Sequence, residues 1–328
     1  MSLDDRLRRR ALGQGAGLVL APWLAASARA QGKPLTLLVG YNPGGPVDIV
    51  ARQLAPPLAE LLGRQVIVDY RPGAGGQFAL TALKQAPADG QLLALSPPSP
   101  LTIFPSTFAR LAYEPFKDFA PIATACTFDF ALVVGAGHPA KTLAEFAAWC
   151  KANPRQASLG VAGLGTTPHF LGWTYARKVG IELEAIPYKG TPQMAQEVAG
   201  GQIACAISPQ ANFAELIKGG KLRLLATTGP QRSTVFPQTP TFNESGMAEL
   251  QSEEWFALFA RAGTPQPLLD TLADAMRRIG ARDAYRKALA EMGFNPQIHD
   301  ATRLARDIQA DHARWAEVVR RTGFKAEG

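Results

Sequence analysis

The chain has 328 residues, a formal net charge of +7 and 47% hydrophobic residues. The apolar fraction is typical of a globular protein with a buried core, and the length is sufficient for two domains. The positive charge forms no basic run or basic–aromatic stripe beyond the N-terminus, which argues against nucleic-acid binding and is compatible with anionic ligands.

The first 30 residues have the three parts of a secretory signal peptide. Arginines cluster within 6–10, an apolar stretch covers 11–24, and Ala28-Arg29-Ala30 is a small-residue cleavage pattern. The apolar stretch is shorter than the ~20 residues that a membrane span needs. We therefore expect export to the periplasm and cleavage near Ala30/Gln31. The adjacent arginines leave both the twin-arginine and the general secretory route open.

Cysteine usage gives no sign of a metal site or a disulfide framework. Cys126, Cys150 and Cys205 are odd in number and far apart in sequence. We interpret them as small buried hydrophobic residues, although one disulfide among them remains possible. We expect no metal and no cofactor.

Short apolar runs alternate with helical patterns along the mature chain, which is typical of an α/β protein with mostly parallel strands. A crossing segment is predicted over 119–127, and a short strand-like piece lies at 185–190. Other strands are predicted over 35–39, 65–68, 91–95, 131–134, 157–162, 204–208, 222–227 and 255–259.

Helical patterns follow several of these strands. One begins after residue 46, and two more lie near 265–292 and over 301–321. The Pro56-Pro57 pair predicts that the first helix is kinked or split. We expect a discontinuous organisation, in which 31–128 with 254–328 form one lobe and 129–253 form the other.

The loop after the first strand has the features of an anion site. Gly44 and Gly45 allow a ligand to approach the backbone, and the helix that follows offers free N–H groups at its positive end. Asp48 lies in the first helical turn, where a carboxylate accepts from N–H groups. Tyr41 precedes these residues. The alternative interpretation is a tight turn with a capped helix.

A second loop of the same kind follows a strand in the middle of the chain. Gly165, Thr166 and Thr167 precede a predicted helix with Pro168 near its start, and both hydroxyls can cap that helix or donate to a ligand. His169 is an acid–base candidate. The sequence places no nucleophile or carboxylate beside it to complete a triad, which favours a structural role.

Three further positions are candidates for ligand contact. Ser96 and Ser99 follow the third strand, and open α/β folds bind ligands at strand ends. Tyr188 follows the short strand near 185 and could donate to a ligand in a cleft between lobes. The alternatives are a polar loop between prolines for the serines and a hinge or buried position for the tyrosine.

These motifs, in this order, resemble the Bug family, the receptors of tripartite tricarboxylate transporters. The resemblance covers essentially all of the mature chain, and its specificity lies in the joint order and spacing of the motifs. The matching segments are Val39–Asp48, Arg71–Gly76, Asp89-Gly90, Tyr113–Pro121, Gly163–His169, Pro187–Gly190, Pro240–Gly246 and Trp255.

The resemblance implies a type II periplasmic binding protein fold, in which two lobes close on a ligand in the cleft between them. It also implies a small organic carboxylate as ligand, membrane transporter subunits as partners, a monomer, and no catalysis. The implied ligand-binding residues, mainly in loops 41–48 and 163–169, are Tyr41, Gly44, Gly45, Asp48, Ser96, Ser99, Gly165, Thr166, Thr167, His169, Tyr188 and Ser208.

The chain departs from the family pattern at Ser208-Pro209-Gln210. Many relatives have an aspartate there that can meet an amino group, so the departure favours a plain carboxylate over an amino acid. Two other functions remain open at this point. The protein could report ligand occupancy to a membrane sensor, or it could be a periplasmic enzyme that uses Asp48, His169 or Tyr188.

Overall fold

The structure is a computed structural model, and it describes residues 33–188 and 190–326. The predicted signal peptide, its cleavage site and Lys189 lie outside the described residues. None of the helices in the described ranges combines the length and the apolar character that crossing a membrane requires.

The first lobe is built on parallel strands that begin within one residue of the predicted positions. Strand β1 pairs in parallel with both β2 and β3, which places the loops that follow β1 and β3 at the same edge of the sheet. The elements are β1 (Leu35–Val39), α1 (Pro46–Leu62), β2 (Val66–Tyr70), α2 (Gln77–Gln85), β3 (Leu92–Ser96), and the short helices α3 (Ser99–Thr102), α4 (Phe104–Thr107) and α5 (Pro115–Asp118).

The second lobe repeats this alternation. Strand β5 pairs in parallel with β6 and with β7, so the loops that follow these strands also meet at one edge. The elements after β4 are α6 (Leu143–Ala152), β5 (Ser158–Val161), α7 (Thr167–Val179), β6 (Glu184–Pro187), α8 (Thr191–Ala199), β7 (Cys205–Pro209), α9 (Ala214–Lys218) and β8 (Leu222–Thr227).

One long strand, β4 (Phe119–Gly135), connects the two lobes. Residues 119–129 pair with β9 (Glu253–Arg261), whereas 130–135 pair with β7 and β8. The sequence predicted a crossing segment and a separate strand here, and that division is wrong. Residues 122–135 are buried throughout, so no alternation of polar and apolar positions indicated a continuous strand.

Helices return to the first lobe after β9. The helical pattern at 265–292 consists of two helices, because α10 ends at Gly280 and a new helix begins at Asp283. The elements are α10 (Gln266–Gly280), α11 (Asp283–Glu291) and α12 (Ala301–Thr322). Within the described residues nine strands form a single sheet in the order β2-β1-β3-β9-β4-β7-β5-β6, with β8 paired to β4.

Helix α1 is continuous through its two prolines, so the predicted split is wrong. Pro56 is exposed and Pro57 is half-buried, so both lie toward the outer side of the helix. Their missing N–H groups leave the carbonyls of Arg52 and Gln53 without a helical partner, and both of these residues are exposed. Water can therefore satisfy the two carbonyl groups while the opposite face packs in the core.

The hydrophobic core supports this two-lobe α/β fold on both sides of the sheet. The largest cluster includes Leu37, Val50 and Phe128 in the first lobe and Leu159 and Ile207 in the second. Cys126, Cys150 and Cys205 are all free and buried, which confirms their interpretation as small core residues.

The first testable consequence concerns Gly40, which lies between β1 and the first loop. A Cβ atom at Gly40 would lie 2.7 Å from Cα of Gly76, so Gly40→Ala forces two backbone segments apart. We expect a loss of about 1–3 kcal/mol in the free energy of unfolding. Gly137 has no heavy atom within 4 Å of such a Cβ, and Gly137→Ala should be neutral or slightly stabilising. Urea denaturation of both variants checks this, and equal effects would contradict it.

Candidate functional site

A cavity lies between the two lobes, with about 620 Å³ of empty space including its mouth. Its lining includes residues from the loops that follow β1, β3, β5 and β6 and from the end of strand β7. Five of the predicted binding residues line it, namely Tyr41, Gly45, Ser99, Thr166 and Ser208. The loops that meet at this cavity were therefore predicted from the sequence, together with these five lining residues.

The first loop brings the start of helix α1 to the cavity. Gly45 is the residue before the helix, and no side chain caps this end, so the N–H groups of the first turn are available to an anion. Gly44 has φ of 83°, a left-handed conformation that favours glycine. The turn therefore requires glycine at position 44.

Asp48 holds this loop in place and does not line the cavity. It is 3% exposed, and it accepts hydrogen bonds from the Gly44 N–H (2.8 Å), from Arg52 Nε (2.7 Å) and from the Tyr70 hydroxyl. Burial alone would raise the pKa of Asp48, but the three hydrogen bonds and the charge of Arg52 hold the pKa below its usual value. The residue therefore acts as an anchor for the glycine turn.

The second loop brings the start of helix α7 to the opposite side of the cavity. Thr166 precedes the helix, and its hydroxyl donates to the Gly163 carbonyl (2.7 Å) rather than capping the helix. The Thr167 N–H donates to Ser99 Oγ (3.2 Å), which joins this loop to the one after β3. The two lobes are thus connected by a hydrogen bond beside the cavity.

His169 orients the second loop from behind. Its Nδ1 accepts the Gly165 N–H (3.1 Å), and its ring packs against Phe324 and Phe170 with centroid distances of 5.0 and 5.2 Å. Burial lowers the pKa of His169, which keeps the ring neutral and its Nδ1 able to accept. The residue does not line the central cavity.

A third helix start also faces the cavity. Helix α8 begins at Thr191 after Gly190, without a side-chain cap, and both residues line the cavity. The hydroxyls of Thr191 and Ser208 are 3.0 Å apart, and Asn212 Nδ2 donates to both, at 2.9 and 2.8 Å. The amide group of Asn212 therefore fixes the oxygen positions of both hydroxyl groups.

The remaining predicted residues support the lining without contributing to it. Ser96 donates to the Pro97 carbonyl (2.9 Å), and the Tyr188 hydroxyl donates to the Glu197 carboxylate. Neither residue lines the cavity, and the same is true of Gly44, Asp48, Gly165, Thr167 and His169.

Aromatic residues that the sequence analysis did not select form an apolar wall. Phe128 and Phe130 of β4 and Phe256 of β9 line the cavity, and the rings of Phe128 and Phe256 are 4.4 Å apart. Phe128 and Phe130 are two residues apart on β4, which places both rings on one face of the sheet. The pairing of β4 with β9 brings them together, and no local sequence pattern shows that pairing.

Glu254 also lines the cavity and was missed. It is 3% exposed, and Thr167 Oγ1 donates to its Oε1 (2.8 Å). Burial raises the pKa of Glu254 to about 8, the negative charge of Asp311 adds to this, and Thr167 and Arg314 oppose it. The carboxyl group is therefore mostly protonated at pH 7. Its sequence signal is a charged residue that precedes Trp255-Phe256 in an apolar strand.

The raised pKa makes stability depend on pH. The folded value is about 8 and the reference value is 4.5, so the folded state holds this proton more tightly. The proton on Glu254 therefore contributes its full stabilisation of the folded state at pH values below the unfolded pKa. This stabilisation is lost as pH rises through the folded pKa. Glu254→Gln does not titrate at this position and has no such loss. The melting temperature of Glu254→Gln minus that of wild type should therefore increase by several degrees from pH 5 to pH 9. A difference that is constant across this range in thermal unfolding would contradict the raised pKa.

Comparison with known proteins identifies the family. The model of the tripartite tricarboxylate transporter family receptors matches residues 50–324. Protein BugT of Bordetella pertussis (strain Tohama I) is 33% identical over 294 residues, which cover 89% of this chain and 90% of BugT.

Solved structures agree in fold along nearly the whole chain. The periplasmic binding protein BugD is 28% identical, with a TM-score of 0.84 over 90% of this chain and 99% of BugD. MatC from Rhodopseudomonas palustris with bound malate is 28% identical, with a TM-score of 0.82 over 87% and 98% of the two chains. Rpa4515 of R. palustris with adipate is 27% identical, with a TM-score of 0.85 over 89% and 98%.

These matches confirm the resemblance to the Bug family and the two-lobe periplasmic binding protein fold. The family consists of solute-binding receptors. The chain belongs to the tripartite tricarboxylate transporter family of receptors, that is, to the periplasmic binding proteins of the Bug type.

Proposed function

We propose that this receptor captures a small organic carboxylate in the cavity between its lobes and presents it to membrane subunits of a tripartite tricarboxylate-type transporter. The observation that carries the proposal is the convergence of three helix starts, those of α1, α7 and α8, on one cavity, where no helix is capped by the side chain of its own preceding residue. At α7 the Thr167 N–H donates to Ser99 Oγ, so the proposal assigns the ligand to the other first-turn N–H groups and to the positive dipole ends of the three helices.

The chemistry of the lining supports an anion held by neutral donors. The described lining residues include no Lys, Arg or His. They offer the hydroxyls of Ser99, Thr191 and Ser208, whereas the single proton of the Thr166 hydroxyl is donated to the Gly163 carbonyl. Carboxylates accept well from hydroxyl and backbone N–H groups. The relatives MatC and Rpa4515 hold malate and adipate, which are both carboxylates.

In this proposal the predicted residues have two roles. Tyr41, Gly45, Ser99, Thr166 and Ser208 contact the ligand, whereas Gly44, Asp48, Ser96, Gly165, Thr167, His169 and Tyr188 hold the contacting loops in position. The hydroxyl group of Ser208 does not provide the negative charge that an ammonium group would need, which favours a plain carboxylate.

The proposed cellular context follows from the family and from the sequence. The chain is exported, cleaved near Ala30/Gln31, and acts as a periplasmic monomer. One lobe comprises 31–128 with 254–328 and the other comprises 129–253. The lobes move about β4 near residue 129, where its pairing passes from β9 to β7 and β8, and about the connection that enters β9 at residue 253.

A ligand screen tests this proposal. Acetate, benzoate, malate and adipate are added to the protein lacking residues 1–30, and thermal unfolding is measured. A true ligand at ~100 times its Kd stabilises by ~2.7 kcal/mol, whereas putrescine and other cationic solutes that have no carboxylate should have no effect. Mass spectrometry should recover the bound carboxylate unchanged. Stabilisation by cations alone, or a chemically altered carboxylate, would contradict a carboxylate receptor.

A substitution at Gly45 tests the first loop. A Cβ atom there would meet no atom closer than 3.5 Å, so Gly45→Val should fold, yet its side chain would cover the start of α1. We expect Kd for the best carboxylate to rise at least about tenfold, a loss of ~1.4 kcal/mol. Gly137→Val is the matched control, because the space around it is open. Unchanged affinity in folded Gly45→Val would show that this loop does not contact the ligand.

A further inference from the structure

Glu254 is an unexpected residue at the edge of an anion site. Its side chain is nearly fully buried, it lines the cavity, and it extends from β9 opposite Phe128 of β4. Among the described residues, the hydrogen bond from Thr167 Oγ1 (2.8 Å) is the single hydrogen bond to this carboxyl group, and no cation pairs with it. The group thus retains hydrogen-bonding capacity next to the cavity.

The surroundings of Glu254 offer little compensation for a negative charge. Helix α12 presents Asp311 and Arg314, which pair with each other at 3.1 Å and so contribute little net charge. Tyr41, on the first loop, is neutral because burial raises the pKa of its hydroxyl, and that hydroxyl donates to the Gly75 carbonyl (2.7 Å). Strand β4 contributes the apolar ring of Phe128, and α7 contributes the uncharged Thr167.

A bound carboxylate would make an ionised Glu254 still less favourable. Two like charges in a cavity of low polarity, without a cation between them, repel each other and favour retention of a proton on one of them. A protonated carboxyl group has one O–H donor, and a ligand carboxylate is a strong acceptor. Protonation of Glu254 therefore replaces repulsion between two carboxylates with a hydrogen bond between Glu254 and the ligand.

We propose, on the basis of the carboxylate-receptor function above, that Glu254 contacts the ligand as a neutral carboxylic acid and donates its proton in a hydrogen bond to a ligand oxygen. The proton stays on Glu254, so no bond is formed or broken. When the free receptor is ionised at this position, binding of one anion takes up one proton from solvent.

Calorimetry as a function of pH tests this coupling. The probe is the carboxylate among acetate, benzoate, malate and adipate that gives the largest thermal stabilisation. With a pKa of about 8 for Glu254 in the free receptor, Kd should rise about tenfold from pH 7 to pH 9. Titrations at pH 9 in two buffers with different ionisation enthalpies should show uptake of close to one proton per ligand bound.

Two variants assign the effect to this residue. In Glu254→Gln the amide oxygen can accept from Thr167 and the amide nitrogen can donate, but neither titrates, so Kd should not change between pH 7 and pH 9. Asp129→Asn is the matched control, because burial also raises the pKa of Asp129, to about 7, and this residue does not line the cavity. This variant should retain the tenfold change.

The outcomes separate failure of the inference from failure of the proposed function. Wild-type binding that is unaffected or tightened at pH 9, a pH dependence that persists in Glu254→Gln, or loss of binding by folded Glu254→Gln at pH 7 would each overturn the role of Glu254 while the receptor function stands. Absence of binding by wild type to all four carboxylates at pH 6 and pH 7 would overturn the receptor function for this class, and the inference with it.

Discussion

The proposed function places one electrostatic constraint on the structure, namely that an anion is held in a mostly apolar cavity without a cationic side chain among the described lining residues. Helix starts can meet this constraint, because their N–H groups and dipoles are fixed by the backbone and need no mobile charge. Three such starts converge here from different loops. The turn at Gly44-Gly45 and the hydrogen bonds made by Asp48 and Asn212 keep the groups around the cavity in place.

The same constraint explains how binding can be linked to motion of the lobes. Helix α1 belongs to the first lobe, whereas α7 and α8 belong to the second, so no single lobe contains the whole set of donors. An anion between them is attracted to both sides, and a closed arrangement gains contacts that an open one lacks. Strand β4 passes between the lobes as a continuous element, and in the proposed function the lobes close by bending near the point where its pairing partner changes.

Much of the fold could be predicted from the sequence, for physical reasons that differ between elements. The parallel strands were found because each is a short apolar run between turn residues, and the helix starts were found because Gly44-Gly45 and Thr166-Thr167 directly follow such strands. Strand β4 was divided incorrectly because it is buried on both faces. The split predicted at Pro56-Pro57 was wrong because local sequence does not show that the freed carbonyls face solvent.

The binding site could be predicted only where it is made by local loop chemistry. Tyr41, Gly45, Ser99, Thr166 and Ser208 lie beside turn signals, and the structure places them around one cavity. Phe128, Phe256 and Glu254 depend on the pairing of strands that are more than 120 residues apart in the chain, and a single sequence does not show such pairing.

A crystal structure of the protein with its best carboxylate tests the central claim most directly. A carboxylate oxygen should lie within hydrogen-bonding distance of backbone N–H groups at the starts of α1 and α7, with the apolar part of the ligand against Phe128 and Phe256. A carboxylate bound instead outside this cavity, or neutralised there by a cationic side chain, would contradict the claim that helix starts hold the charge without a cation.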